Sequence, residues 1–177
     1  RTLPNMKILS PGDPTEVEQC LEYLDRNPGP SYLRLGKTGE KRYSNKLSKL
    51  SATSLNEIRK DENAKKLIIT TGASLQDIMN IKALDGFCLD IYTCPIWGIN
   101  LKIDNVILEN YEQIIIVEDH LKDAGFGSWI LENADKHIRE RLDILGLNPS
   151  VCGMVGSQSW LNSVGGLSPD DVISAIS

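Results

Sequence analysis

The chain has 177 residues, 41% hydrophobic and 24% charged, which suits one globular domain, or one domain plus a piece of another, under an ordinary polar surface. A net charge of -5 works against nucleic acid or an anionic membrane as a partner, because both require a basic footprint. The cysteines, Cys20, Cys88, Cys94 and Cys152, form no C-x-x-C, and the only histidines are His120 and His137, so no metal site is expected. Reduced thiols and an intracellular, cytoplasmic location are the default, and no apolar run is long enough to span a bilayer.

The chain opens at Arg1 in sequence that already reads as mid-domain, so a fragment of a longer protein is expected. Met6 to Leu9 is a short strand candidate. Asp13-Pro14-Thr15-Glu16 starts a helix, with Asp13 as N-cap, Pro14 at the first helical position and Glu16 closing a capping box. Val17, Cys20, Leu21 and Leu24 continue at helical spacing until Asn27-Pro28-Gly29-Pro30 ends the run. Ser31 to Leu35 reads as a second strand. This strand-helix-strand unit is too small to bury a core and needs a sheet to join. From residue 38 to 64 the pattern turns polar. Tyr43, Leu47, Leu50, Leu55 and Ile58 are scattered anchors in a linker with room for one hairpin.

From residue 65 to 177 the rhythm becomes regular. KKLIITTGAS is a buried strand ending in a glycine turn, and Ser74 with Asp77 reads as a second capping box. GFCLDIYTCPIW is a strand stopped by Pro95. NVILENY is a short helix, EQIIIVEDH a third strand, Ser128 to about Arg141 a helix, and LDILGLN a fourth strand. LSPDDVISAI closes the chain as a helix capped by Ser168 with Pro169 at its first position. Strands alternating with helices predict an α/β fold: a three-layer, mostly parallel sheet with helices on both faces, preceded by a strand-helix-strand remnant of another α/β domain.

Three groups of residues invite a chemical reading. Gly125-Phe126-Gly127 follows a strand, but the third position of a dinucleotide fingerprint is Ile130, and residues 121–124 separate the strand from the first glycine. Tight turning and close helix-sheet packing account for these glycines more simply. Glu118-Asp119-His120 lies at the carboxyl end of a strand, where open α/β sheets place ligands. Alternation puts Glu118 and His120 on one face and Asp119 on the other. No G-x-S-x-G elbow supplies a nucleophile, and Ser128 sits where an N-cap is ordinary, so a hydrogen-bonded structural or interface role is the plainer reading. Arg34 and Lys37 flank Gly36 after a strand, where cations can clamp a phosphate or simply edge a solvated loop.

Taken together, these stretches resemble the C-terminal portion of the transketolase family. LPNMKILSPGDPTEVEQCLEYL and GPSYLRLGK are similar to the end of the family's pyrimidine-binding domain, here residues 1–37. LIITTGAS, IIIVEDHLKDAGFGSWILE and GGLSPDDVISAI resemble successive parts of the transketolase C-terminal domain, here residues 65–177. Two departures stand out. Ile96-Trp97-Gly98-Ile99-Asn100 replaces a K-P-hydrophobic-D stretch, and Ala124 stands where a glycine is commoner. The resemblance implies a thiamine-diphosphate enzyme moving a two-carbon ketol unit between sugar phosphates, as a homodimer with magnesium on the diphosphate.

In such a family the metal-binding G-D-G…N segment and the cofactor-activating glutamate lie upstream of the region matched here. The resemblance therefore implies no catalytic, cofactor or metal residue in this chain, which would serve architecture and dimerisation alongside the remaining domains. It also makes Lys37, aligned with a phosphate-gripping arginine, and to a lesser degree Arg34 candidate substrate-phosphate contacts. Glu118, His120, Gly125 and Gly127 become structural or interface candidates. The same architecture occurs in 1-deoxyxylulose-5-phosphate synthase and in two-oxoacid dehydrogenase beta subunits, and a non-enzymatic dimerisation or binding module is a further alternative.

Overall fold

A computed structural model describes residues 1–36, 39–45 and 50–177. The first unit is β1 (Lys7–Leu9), α1 (Pro14–Arg26) and β2 (Ser31–Leu33). Then come β3 (Asn56–Arg59), β4 (Lys66–Thr70), α2 (Ser74–Met79), a 3-10 turn (Lys82–Gly86), β5 (Leu89–Thr93), β6 (Ile96–Trp97) and α3 (Asn105–Leu108). The chain continues through β7 (Gln113–Leu121), α4 (Phe126–Asn133), α5 (Lys136–Arg139), β8 (Leu142–Leu147), a 3-10 turn (Pro149–Val151), α6 (Gln158–Val164) and α7 (Pro169–Ile176).

Among the described residues a five-stranded sheet runs in the order β3-β5-β4-β7-β8. Four strands are parallel, with Leu67 opposite Ile114 and Asp90, and β3 closes one edge antiparallel to β5. The unbroken apolar runs of β4 and β7 follow from burial on both faces. Leu67, Ile69, Ile114 and Ile116 pack on one face with Phe126, Trp129 and Ile130 of α4. The alternate residues, Ile68, Ile115 and Val117, pack on the other with Ile78 of α2 and Val172 and Ile176 of α7. This is the expected α/β sheet with helices on both faces.

The second sheet is smaller, in the order β2-β1-β6, with β2 parallel and β6 antiparallel to β1. β5 ends at Thr93, just before Cys94 and Pro95, but the extended chain re-enters directly after Pro95, at Ile96, in the other sheet. There Ile8 pairs with Trp97 and Leu9 with Ile96. The first unit thus completes its sheet with a strand from the second.

Several local expectations are corrected by longer-range partners. Asp13 caps α1 by accepting the Glu16 N–H at 2.9 Å, but Glu16 does not return the bond to Asp13. Its buried carboxyl accepts the Gly12 N–H at 2.7 Å, Asn56 Nδ2 at 2.8 Å and the Thr93 hydroxyl, joining α1 to β3 and β5. Burial pushes the Glu16 pKa up against these donors, with Asp13 adding to the rise. Leu21 faces solvent.

Asn56–Arg59, inside the stretch read as linker, pairs with a strand some thirty residues away rather than forming a local hairpin. Ser74 does not cap α2. Its hydroxyl donates to the Thr71 carbonyl at 2.6 Å and the Val117 carbonyl at 3.3 Å, tying β4 to β7. The helix expected from Ser128 to Arg141 starts earlier, at Phe126, and breaks at Ala134, whose ψ of 145° is extended. Ser168 forms the expected cap, with a reciprocal bond from Asp171. Leu47 lies outside the described residues.

Candidate functional site

In an open α/β sheet the ligand crevice lies where connections leave neighbouring strands toward opposite faces. That condition is met between β4, which leads to α2 on one face, and β7, which leads to α4 on the other. The crevice holds the end of β1. The Gly72 N–H donates to the Ser10 carbonyl at 2.8 Å, and the Thr71 hydroxyl reaches the same oxygen at 3.3 Å. The Ser10 N–H donates to the Pro95 carbonyl at 2.7 Å. Gly72 has φ +63°, and a Cβ there would sit 2.5 Å from Ser10 Oγ, so both its conformation and the close approach require glycine.

Arg34, just past β2, closes the same crevice. Its Nη1 and Nη2 donate to Asp119 Oδ1 at 2.5 Å and Oδ2 at 2.8 Å, a fork-on-fork pair whose carboxylate side chain is 3% exposed. Asp119 is the β7 residue expected to point away from Glu118 and His120, and it does so toward a cation 85 positions distant in sequence. Beside this pair, Gly36, Ala73 and Gln158 border a small cavity of about 230 Å³.

On the opposite side of β7, Glu118, His120, Gly125 and Gly127 come together. Gly125 is the N-cap of α4 and has no side chain to offer, so the first helical N–H groups take their acceptor from the strand. Glu118, fully buried, accepts the Phe126 N–H at 2.5 Å and the Gly127 N–H at 3.2 Å. Negative charge at a helix N-terminus is favourable. A Cβ on Gly125 would lie 2.4 Å from Glu118 Oε2, and one on Gly127 would lie 2.6 Å from Ile144 Cγ2. The glycines are therefore packing requirements for this junction.

His120 Nδ1 lies 3.0 Å from Glu118 Oε2 and 3.2 Å from the Leu121 carbonyl. Burial works to lower the imidazole pKa, but Glu118, the Leu121 carbonyl and Asp119 outweigh it, and the net shift is upward. The ring stacks near Trp97 with centroids 6.4 Å apart. Ser128 donates its hydroxyl to the Lys122 carbonyl, and among the described residues no hydroxyl or thiol is hydrogen-bonded to His120. Glu118 is engaged as an acceptor on both oxygens. The geometry suits a helix-capping junction rather than acid-base or nucleophilic chemistry at Glu118.

Of the residues singled out in the sequence, Glu118, His120, Gly125 and Gly127 are brought together, Arg34 stands across β7 from them, and Lys37 lies outside the described residues. Ser10 carried no local signal, and Trp97 stood out only inside the stretch that departs from the family pattern. Only the period-2 alternation of β7 hinted that Asp119 would need a partner of its own. Among the described residues no three His, Cys, Asp or Glu side chains are grouped as metal ligands, and no helix is long and apolar enough to cross a membrane.

No family model and no curated protein matches the sequence. Solved structures do. A split-gene transketolase described as an inactive beta4 tetramer superposes with a TM-score of 0.78 at 18% identity, over 99% of this chain and 58% of that one. A transketolase from Campylobacter jejuni subsp. jejuni matches with a TM-score of 0.59 at 14% identity, over 99% of this chain and 26% of its own. A transketolase mutant from Pichia stipitis gives 0.65 at 14%, over 99% and 25%. The chain thus shares the fold of transketolase C-terminal regions along its whole length. It spans a little over half of the first neighbour and about a quarter of the other two.

Proposed function

We propose that this chain is the C-terminal part of a transketolase-like transferase, one that moves a two-carbon ketol unit between sugar phosphates with thiamine diphosphate and magnesium. Residues 1–37 serve as the tail of a pyrimidine-binding domain, 38–64 as a connection that includes β3, and 65–177 as the C-terminal domain. The observation that carries this reading is the filled crevice: the Ser10 carbonyl and the Arg34–Asp119 pair take up the site where a free-standing α/β sheet would place its ligand. A sheet used that way holds its neighbouring unit in place and leaves the chemistry to other domains.

In this reading the cofactor and its metal are held by residues of the preceding domains, and no step of the reaction is assigned to the residues described above. Arg34 commits Nη1 and Nη2 to Asp119, which anchors the loop after β2 and leaves Nε, so Lys37, three residues on, is the first substrate-phosphate candidate and Arg34 the lesser one. Glu118 and His120 organise the strand-to-helix junction or a contact between subunits. The neighbour described as an inactive beta4 tetramer supports self-association. In this reading the complete enzyme works as a homodimer in the cytoplasm.

The test has two arms. Calorimetry of the 177-residue chain with thiamine diphosphate and magnesium is expected to show no tight binding, and tight binding would overturn the architectural role. Ketol transfer is expected to be absent with the chain alone and to emerge when a polypeptide carrying the preceding domains is added. Activity that does not depend on this chain would remove it from the enzyme.

A further inference from the structure

A cleft of about 370 Å³ opens between the first unit and the end of β7, and its lining includes Trp97, Tyr32, Ser10, Arg34 and His120. It falls in the size range of small-molecule sites. Ser10 is 2% exposed, and its hydroxyl has no hydrogen-bond partner among the described residues. A buried hydroxyl without a partner loses free energy unless something outside the chain supplies one. The backbone N–H and carbonyl of Ser10 are both engaged, which leaves its hydroxyl as the one polar group of this cleft-lining residue without a partner among the described residues.

The other donors in the cleft are held from behind. His120 commits Nδ1 to Glu118 and the Leu121 carbonyl, which leaves Nε2 as the nitrogen that can meet a ligand. Arg34 spends Nη1 and Nη2 on Asp119 and retains Nε. Buried carboxylates that fix a guanidinium and an imidazole from the rear orient their remaining N–H groups. The charged groups around the imidazole are Glu118 and Asp119 on its own strand, Asp123 on the following loop, Arg34 after β2 and Arg1. The cleft lining itself carries Arg1, Arg34 and a protonatable His120 against Asp123 as its acid.

We propose that this cleft binds the oxyanion of a small metabolite, a phosphate monoester or a carboxylate, with Ser10 Oγ, His120 Nε2 and Arg34 Nε as donors and the body of the molecule against Trp97 and Tyr32. Such a site would operate whether or not the chain belongs to a ketol-transferring enzyme, and its binding can be read on the chain alone.

The chain's two histidines make nuclear magnetic resonance the direct test, with His137, whose side chain is 59% exposed on α5, as the internal reference. Sodium phosphate and sodium acetate are titrated separately against sodium chloride at matched ionic strength, near pH 6. The expected result is a saturable shift of the His120 Cε1–H signal, with His137 unmoved, that weakens as pH rises through the His120 pKa. Saturation by phosphate assigns the phosphoryl class, and saturation by acetate the carboxylate class.

Ser10→Ala removes no internal hydrogen bond and should fold normally. It is expected to weaken the anion by about tenfold, the effect of one lost bond to a charged group. The amide signals of Gly72 and Gly125 give an independent readout in His120→Gln, where the pH dependence should vanish. Parallel drift of both histidines with ionic strength, no saturation by either anion, or a Ser10→Ala titration matching the parent would overturn the proposal.

Discussion

Replacing Glu118 by Ala should destabilise the fold more than any other single carboxylate change at this end of the sheet. The side chain is fully buried, and it is the acceptor for two N–H groups at the start of α4, Phe126 at 2.5 Å and Gly127 at 3.2 Å. Each buried donor left without a partner costs about 1–3 kcal/mol, so losing both predicts about 2–6 kcal/mol. Water cannot readily substitute, because the space is already narrow enough that a Cβ on Gly125 would collide with this carboxylate. Glu118→Gln keeps the volume and one acceptor oxygen but loses the charge-assisted component, which predicts about 1–2 kcal/mol. Urea denaturation followed by far-ultraviolet circular dichroism measures both, with an unchanged m-value showing that the midpoint shift reports stability. Amide exchange at Phe126 and Gly127 should accelerate selectively. A Glu118→Ala midpoint equal to the parent's, or a larger loss for Gln than for Ala, would refute the capping argument.

Three further outcomes follow from the same junction and its neighbours. Ala124 sits at φ +56°, a left-handed conformation that costs a side-chain-bearing residue about 1–2 kcal/mol. Part of that is offset by the greater freedom of glycine in the unfolded chain, so Ala124→Gly should stabilise by about 0.5–1 kcal/mol in the same denaturation assay. Arg34→Met leaves the Asp119 carboxylate buried without its cation. Since the Arg34 side chain is 33% exposed, the loss is discounted to about 1–3 kcal/mol, and it should shrink when Asp119→Leu is added in a double-mutant cycle. His120 has its pKa raised in the folded protein. Its contribution is thus fully present below the unfolded value of about 6.5 and is lost as pH rises through the higher folded value. Melting temperature should fall across that window in the parent and stay flatter in His120→Gln.

The layers of the fold were legible because its strongest signals are local and redundant. The runs LIIT in β4 and IIIV in β7 leave no polar face, which only a sheet covered on both sides can accommodate. Ser168 with Asp171 and Pro169 announces α7 through groups three residues apart. What could not be read was set by distant partners. β3 carries the sequence NEIR, with a single aliphatic residue, and becomes a strand because β5 offers it an edge. Ser74 and Glu16 each fit a capping motif, yet each side chain is engaged elsewhere, Ser74 on the Thr71 and Val117 carbonyls and Glu16 on Asn56 and Thr93. Capping boxes spelled in sequence are offers that tertiary contacts can outbid.

The site shows the same division. Period-2 alternation along β7 correctly separated Glu118 and His120 from Asp119, because that geometry is intrinsic to any strand. It could not say that Arg34 would meet Asp119, nor that β6 would cross from one unit to complete the other's sheet. Yet these two features settle how the units depend on each other. The first unit lacks a third strand without β6, and the second has an open crevice without Ser10 and Arg34. Each supplies what the other would otherwise expose: unpaired backbone groups at a sheet edge in one, and a buried carboxylate in the other. Separating them would leave both defects at once, so the two units are expected to unfold together, with Arg34–Asp119 and the β1–β6 pairing lost in the same transition.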